Sequence, residues 1–328
     1  MNSEGSITNN KPLDYSALSR KVTFKERIAH GAGSFETNII TYTAAVVIAF
    51  TCMFLALILI ENAFFFFFIG VFILVVVIGL YFSAAKHIRL KEFAKQNNLT
   101  YKESFGFDGR PGLIFQQGDS QEFTSVLSAA NQAFAEIGNY QYETGSGKNR
   151  QTHDYGYVRI KLPRRLPHMV LDAKKNNLFG KFTNLPTGFS NDQKLELEGD
   201  FNSHFTLFAP AQYKTDALYV FTPDVMQAMI DAAHDYDCEI IDDSLYLYSP
   251  SKLKLTDAKR LQEIVSIANL LNKEFTEQTD YYADSRVGDR SQNVIAAPGK
   301  RLATKVPVAT IVLLVLFGLF YVWSLFFQ

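Results

Sequence analysis

The sequence predicts an α+β domain of antiparallel strands and packed helices, attached to three transmembrane α-helices. Three observations predict it. Ile39–Ile60, Ala63–Ala85 and Val306–Phe327 carry no charged residue over 22, 23 and 22 positions. At about 1.5 Å of rise per residue, each can cross a hydrocarbon core of about 30 Å. The 32 Lys and Arg and 33 Asp and Glu all fall in the other 261 positions, which gives that remainder the charge density of ordinary globular sequence. Between the second and third stretches, strand-like and helix-like runs follow one another without βαβ alternation, the pattern of an α+β fold. A wholly water-soluble chain is excluded, and three helices are too few for a transporter built from inverted repeats.

Residues 1–38 read as a partly disordered cytoplasmic tail. Met1–Asn10 is rich in Ser, Asn and Gly. Lys21–His30 mixes Val22, Phe24 and Ile28 with Lys21, Lys25 and Arg27, which suits either a short helix at an anionic leaflet or a plain tail. Gly31 and Gly33 end it before the membrane. Residues 39–60 and 63–85 form a helical hairpin turning at Glu61-Asn62. In it Phe64–Phe68 wrap the helix with rings that face lipid, while Ala44, Ala45 and Ala49 supply a face for close helix packing. A cleaved leader is the competing reading of the first run, but its apolar length exceeds the usual 7 to about 15 residues.

The domain occupies 86–285. His87–Gln96 continues the second helix. Leu99–Phe105 and Gly112–Gln117 read as strands around the Gly106–Gly112 turn signal. Phe123, Val126, Leu127, Ala130, Phe134 and Ile137 recur every three or four residues and predict an amphipathic helix capped by Asp119 or Ser120. Tyr140–Thr144, Asp154–Leu162 and His168–Asp172 read as strands. Tyr155, Tyr157, Arg159 and Lys161 alternate onto the expected open face of Asp154–Leu162. Lys194–Glu198 and Phe205–Phe208 are further strands. Thr222-Pro223-Asp224 starts a helix to about Asp235. Cys238–Ile241 and Leu245–Tyr248 suggest a hairpin around Asp242-Asp243-Ser244, and a last helix from Thr256 buries Leu261, Ile264, Ile267, Leu271 and Phe275. Residues 286–305 are a basic linker and 306–327 the third span.

Charge sets the expected orientation. Fourteen Lys and Arg flank the three spans on one side, from Arg20 to Lys305, and only Glu61-Asn62 and Gln328 fall on the other. Because basic residues stay cytoplasmic, the N-terminus and the domain are predicted inside and the C-terminus outside. Gln96–Ser285 holds 18 basic and 26 acidic residues, which argues against nucleic-acid binding. With two cysteines, Cys52 and Cys238, no disulfide framework is expected.

No catalytic residue and no cofactor emerge. Gly145-Ser146-Gly147-Lys148 lacks the first glycine and the hydroxyl residue of a phosphate loop, since Tyr142 and Asn149 stand there; it reads as a hairpin loop. His234, Asp235, Asp237, Asp242 and Asp243 are the densest set of metal-ligand types, though their spacing matches no known site. Cys238 reads as a buried structural thiol, and His153, His168 and His204 are scattered singly. Arg159, Lys161, Arg164 and Arg165 form the best contact face for anionic lipid or an acidic partner.

The runs Asn139-Tyr-Gln-Tyr, Tyr155-Gly-Tyr-Val-Arg-Ile-Lys-Leu-Pro-Arg, His168-Met-Val-Leu-Asp, Leu197-Glu-Gly-Asp-Phe-Asn-Ser-His-Phe-Thr-Leu-Phe-Ala-Pro and Asp216-Ala-Leu-Tyr-Val-Phe-Thr-Pro-Asp-Val-Met together resemble a family of uncharacterised bacterial membrane proteins. In that family a soluble α+β domain follows two transmembrane helices. The resemblance spans Asn139–Tyr248. It implies a bacterial inner-membrane setting, with Asp216 and the Thr222-Pro223 helix start as structural fixtures, and no catalytic residue. The expectation is therefore a non-enzymatic binding, scaffold or self-assembly module, in contact with the lipid bilayer and with a protein partner or a second copy. The alternative is a membrane-bound metal-dependent hydrolase using the His234–Asp243 cluster.

Overall fold

The structure is a computed structural model that describes residues 12–30, 35–58, 63–177, 185–186 and 188–304. The expected third span, the Glu61-Asn62 turn and Met1–Asn10 lie outside the described residues. The chain divides into two compact units, here 12–103 with 254–262, and 104–253 with 263–304.

In the first unit, α1 (Ser16–Ser19) and α2 (Phe24–Ala29) precede two long helices, α3 (Phe35–Ile58) and α4 (Ala63–Gln96). Both long helices are apolar enough to cross a membrane, over Asn38–Ala56 and Phe64–Gln96, and only 6% of either window is covered by protein. An apolar surface left that bare is what a helix that faces lipid presents. The hairpin closes where a Cβ on Gly70 would lie 2.5 Å from Met53 and 2.7 Å from the Ala49 carbonyl, and Ala49 is fully buried. Ala44 stays exposed, so the small-residue face is narrower than expected. Phe64, Phe65, Phe67 and Phe68 are exposed, as lipid-facing bulk requires.

Within Lys21–His30, Phe24–Ala29 forms the helix α2, with Thr23 and Glu26 making a reciprocal capping box. It is fastened to α4, because Arg20 bridges Glu92 at 2.6 Å and Arg27 lies 4.6 Å over the Tyr81 ring. Beyond Ala85, α4 continues through His87 to Gln96 as expected. There His30 and His87 stack at 5.7 Å, and both imidazoles face the Glu103 carboxylate.

The remaining elements form a seven-stranded antiparallel sheet with packed helices, the expected α+β class. Its strands are β1 (Thr100–Gly106), β2 (Asp119–Ser128), β3 (Glu136–Thr144), β4 (Gln151–Ala173), β5 (Lys194–Leu195), β6 (Phe205–Phe208) and β7 (Asp237–Ser249). The order is β1-β2-β3-β4-β6-β5, with β7 on the other edge of β4. The helices are α5 (Phe201–His204), α6 (Lys214–Val220), α7 (Pro223–Ala233) and α8 (Ala258–Thr279). Thr222 and Pro223 start α7 as expected, and Gly145–Lys148 lies in the β3–β4 turn.

Four expectations are corrected. The run from Phe123 to Ile137 is not a helix but β2, a turn and the start of β3. Ser125 sits at φ +54° inside a register shift, and this bulge moves the inward residues from Phe123 to Val126 and Leu127, imitating helical spacing. Gly112–Gln117 is a single 3₁₀ turn, Ile114–Gln116. The strands read at Asp154–Leu162 and His168–Asp172 are one 23-residue strand, whose Pro163 and Pro167 fall where pairing with β7 slips. Cys238–Tyr248 is likewise one strand, because Asp242, at φ +54°, bends the chain there without reversing it.

The open face expected for β4 is also closed over its first half. Tyr157 is fully buried in an aromatic core with Phe115, Phe123, Tyr140, Tyr246 and Tyr248. Phe115 packs against all five of those rings at 5.0 to 5.9 Å. Arg110 lies 4.3 Å over Phe123 and pairs with Glu136 and Asp108.

Candidate functional site

Glu239 stands in the apolar run Cys238–Ile241 near the start of β7, and its side chain is 1% exposed. A carboxylate cannot stay so buried without donors. Three face it: His168 Nε2 at 2.8 Å on one oxygen, and the Tyr248 hydroxyl and the Leu113 N–H, each at 2.6 Å, on the other. Burial, with the Glu239 charge beside it, pushes the Tyr248 hydroxyl well above its ordinary value, so the phenol remains a donor.

His168 is 6% exposed, and its other nitrogen is used too. Nδ1 accepts the Leu302 N–H at 2.9 Å. An acceptor carries no proton, so the ring is the neutral Nε2–H tautomer and donates to Glu239. The pair therefore bonds β4 to β7 and also holds the strap Arg301–Thr304, the last described residues before the charge-free run at Val306.

Each residue of the strap is held. Arg301 pairs with Asp242 at 3.3 Å, and the Leu302 side chain enters an apolar slot made by Leu113, Val170, Leu185 and Phe189. The Gln193 side chain donates to the Ala303 carbonyl at 2.7 Å and accepts its N–H at 2.8 Å, while Thr304 bridges Phe189. Upstream, buried Asp284 accepts the Ala296 N–H and the Tyr213 hydroxyl, at 2.9 and 2.7 Å, and Arg286 stacks 3.9 Å over Tyr213. Despite burial, these donors hold the Asp284 carboxyl below the usual range. The segment expected to be a basic linker is docked on the domain.

A cavity of about 560 Å³ opens beside this clamp, lined by Gly109, Gly112, Gln116, Phe189, Asp242 and Arg301 as well as His168 and Glu239. The positive φ of Asp242 lies on its rim, a strained position of the kind that gathers at functional sites. Chemically the pair is a clamp rather than an acid–base couple. Both imidazole nitrogens are engaged, and three donors hold the carboxylate, so with the strap docked both groups are occupied by the clamp.

Of the expected metal cluster, His234 and Asp235 stay 3.6 Å apart and share Lys175, while the three other aspartates go to separate partners. His234 Nδ1 bonds the Ile230 carbonyl, and Asp235 pairs with Lys175 at 2.7 Å. Asp237 is buried and accepts the Ala173 N–H; Asp242 turns to Arg301; Asp243 accepts from the Ser244 hydroxyl. Among the described residues no three His, Cys, Asp or Glu side chains are placed to hold a metal ion. Burial pushes the Cys238 thiol well up, away from the nucleophilic thiolate.

The basic contact face is also divided. Arg159 donates to the Ser244 hydroxyl and Arg164 to the Tyr282 carbonyl, and the Arg165 N–H bonds Asn293, so two of the four help seat the segment leading to the strap. Lys161 remains exposed. The clamp itself was missed in the sequence because His168, Glu239 and Leu302 lie far apart in the chain. The available signal was an acid inside an apolar strand run, which demands a buried partner.

No family model and no curated protein matches the chain. Among solved structures, the crystal structure of the mycobacterial trehalose monomycolate transport factor A, TtfA, is similar to it at 12% identity and a TM-score of 0.33, over 57% of this chain and 96% of that one.

Proposed function

We propose that this is an integral protein of a bacterial inner membrane, with a cytoplasmic α+β domain that works as a non-enzymatic binding, scaffold or self-assembly module. The N-terminus and the domain lie inside, and the C-terminus lies outside after a third span at 306–327. The resemblance to the family of two-helix membrane proteins with an α+β domain belongs to the same reading.

The observation that carries it is the clamp. The most catalytic-looking pair in the domain, His168 and Glu239, spends its hydrogen-bonding capacity on seating the strap that leads to the third charge-free run. A domain fastened at both ends is fixed in height and orientation at the membrane, which suits holding a partner better than releasing a product.

The test is photo-cross-linking in native membranes from position 281, where Tyr281 is 86% exposed. A discrete adduct with a second copy or one partner protein is expected. Recovery of monomer alone, from membranes and from mild detergent, overturns the reading.

A further inference from the structure

We propose that His168 is a proton-operated latch: uptake of one proton at Nδ1 releases the strap Arg301–Thr304 from the domain. The inference stands on the clamp geometry and is independent of what the domain binds.

Nδ1 is the acceptor that holds the Leu302 N–H, at 2.9 Å. A proton arriving from water at Nδ1 turns that nitrogen into a donor facing a donor, and the bond to Leu302 is lost. The same proton makes an imidazolium against the Glu239 carboxylate, 2.8 Å away on the other side of the ring. The ring therefore has two arrangements that each satisfy one neighbour more strongly: neutral with the strap held, or charged with the ion pair strengthened. Such a choice is what a switch needs, and histidine is the side chain that makes it near neutral pH.

The surrounding charges are arranged for it. From β7, Glu239 faces the ring, Tyr248 donates to that carboxylate and Asp242 lines the same cavity, and from the strap Arg301 lines it too. Among them Arg301 is the one cation, and it leaves with the strap, which removes a positive charge from the neighbourhood of the new imidazolium. Release uncovers the Leu302 slot formed by Leu113, Val170, Leu185 and Phe189, and opens the cavity toward it.

The test uses the full chain in lipid nanodiscs. Nitroxide labels are placed at Lys300→Cys and Lys148→Cys, with Cys52→Ser and Cys238→Ala in the background, and their distance distribution is measured from about pH 8 to about pH 5. A single narrow distance is expected at the alkaline end. Toward acid a second, broader population grows by at most about tenfold per pH unit, the limit for one proton. His168→Asn keeps an oxygen acceptor where Nδ1 stood and cannot take up the proton, so its distribution stays narrow throughout. A wild-type distribution that does not change, with circular dichroism showing the fold intact, overturns the latch. So does a His168→Asn variant that broadens with the same pH dependence.

Discussion

Glu239→Gln separates a clamp from an ordinary buried contact, because it keeps the shape and changes only what one oxygen can do. The glutamine has one acceptor and one amide donor where the carboxylate had two acceptors. If its oxygen stays on the Leu113 N–H and the Tyr248 hydroxyl, its amide faces His168 Nε2–H. The opposite orientation is worse, since it sets the amide against a backbone N–H that cannot switch. His168 must then move its proton to Nδ1 and drop Leu302. The loss is one charge-assisted hydrogen bond, about 1.5–3 kcal/mol, and one neutral bond, about 0.5–1.5 kcal/mol, for a total of about 2–4.5 kcal/mol. At about 2–4 °C per kcal/mol for a domain of this size, the melting temperature falls by about 4–18 °C. The decisive reading is local. Amide hydrogen exchange at Leu302 should speed up by about 2- to 13-fold, the equivalent of the neutral bond. Tyr248→Phe removes a donor from the same carboxylate, about 1.5–3 kcal/mol, and leaves the tautomer alone, so Leu302 stays protected. Equal Leu302 protection in the two variants would refute the tautomer argument.

Two further outcomes follow from the core. Phe115→Ala empties the centre of five aromatic contacts and should cost about 3–5 kcal/mol in urea denaturation; a loss under about 1 kcal/mol would mean that the ring cluster is not the core. Burial pushes the Tyr246 hydroxyl up to about 12, and Tyr140, Tyr155 and Tyr157 rise for the same reason. The folded state therefore holds these protons more tightly than the unfolded chain. This stabilisation is complete below the unfolded value of about 10 and is lost as pH rises through the folded values. The tyrosinate absorbance at 295 nm that Tyr246→Phe removes should thus appear together with cooperative loss of near-ultraviolet dichroism, and its appearance near pH 10 with the fold intact would contradict the burial.

What the sequence made legible was whatever is local. Charge-free runs give the hairpin of α3 and α4, Phe205–Phe208 gives β6 at its observed bounds, and Thr222-Pro223 gives the start of α7. The misreadings in β2, β4 and β7 share a cause. Each strand contains an irregularity, at Ser125, at Pro163 to Pro167 or at Asp242, that breaks the period of two. Read alone, such a break looks like a turn or a helix. It is the neighbouring strand that carries the ladder across it, and that information lies many residues away. The clamp was hidden for the same reason: His168 and Glu239 are 71 positions apart, and His168 and Leu302 are 134 apart. An isolated acid in an apolar strand was the one local trace of it. Around His234, closeness in sequence crosses the end of α7 and the beginning of β7: His234 and Asp235 stay together on Lys175, while Asp237, Asp242 and Asp243 go to other partners.

The most direct test of double anchoring is to cut the chain between the two ends of the domain's tether. A protease site is inserted at Asn97–Leu99, just after α4, in the full-length protein in inside-out membrane vesicles. Cleavage from the exposed cytoplasmic face should leave the domain in the membrane pellet after a carbonate wash, held by the segment beyond Thr304. The same cut in a chain truncated after Thr304 should release it. Release of the domain from the full-length chain as well would contradict the account, and failure of the protease to reach the site except in right-side-out vesicles would reverse the orientation.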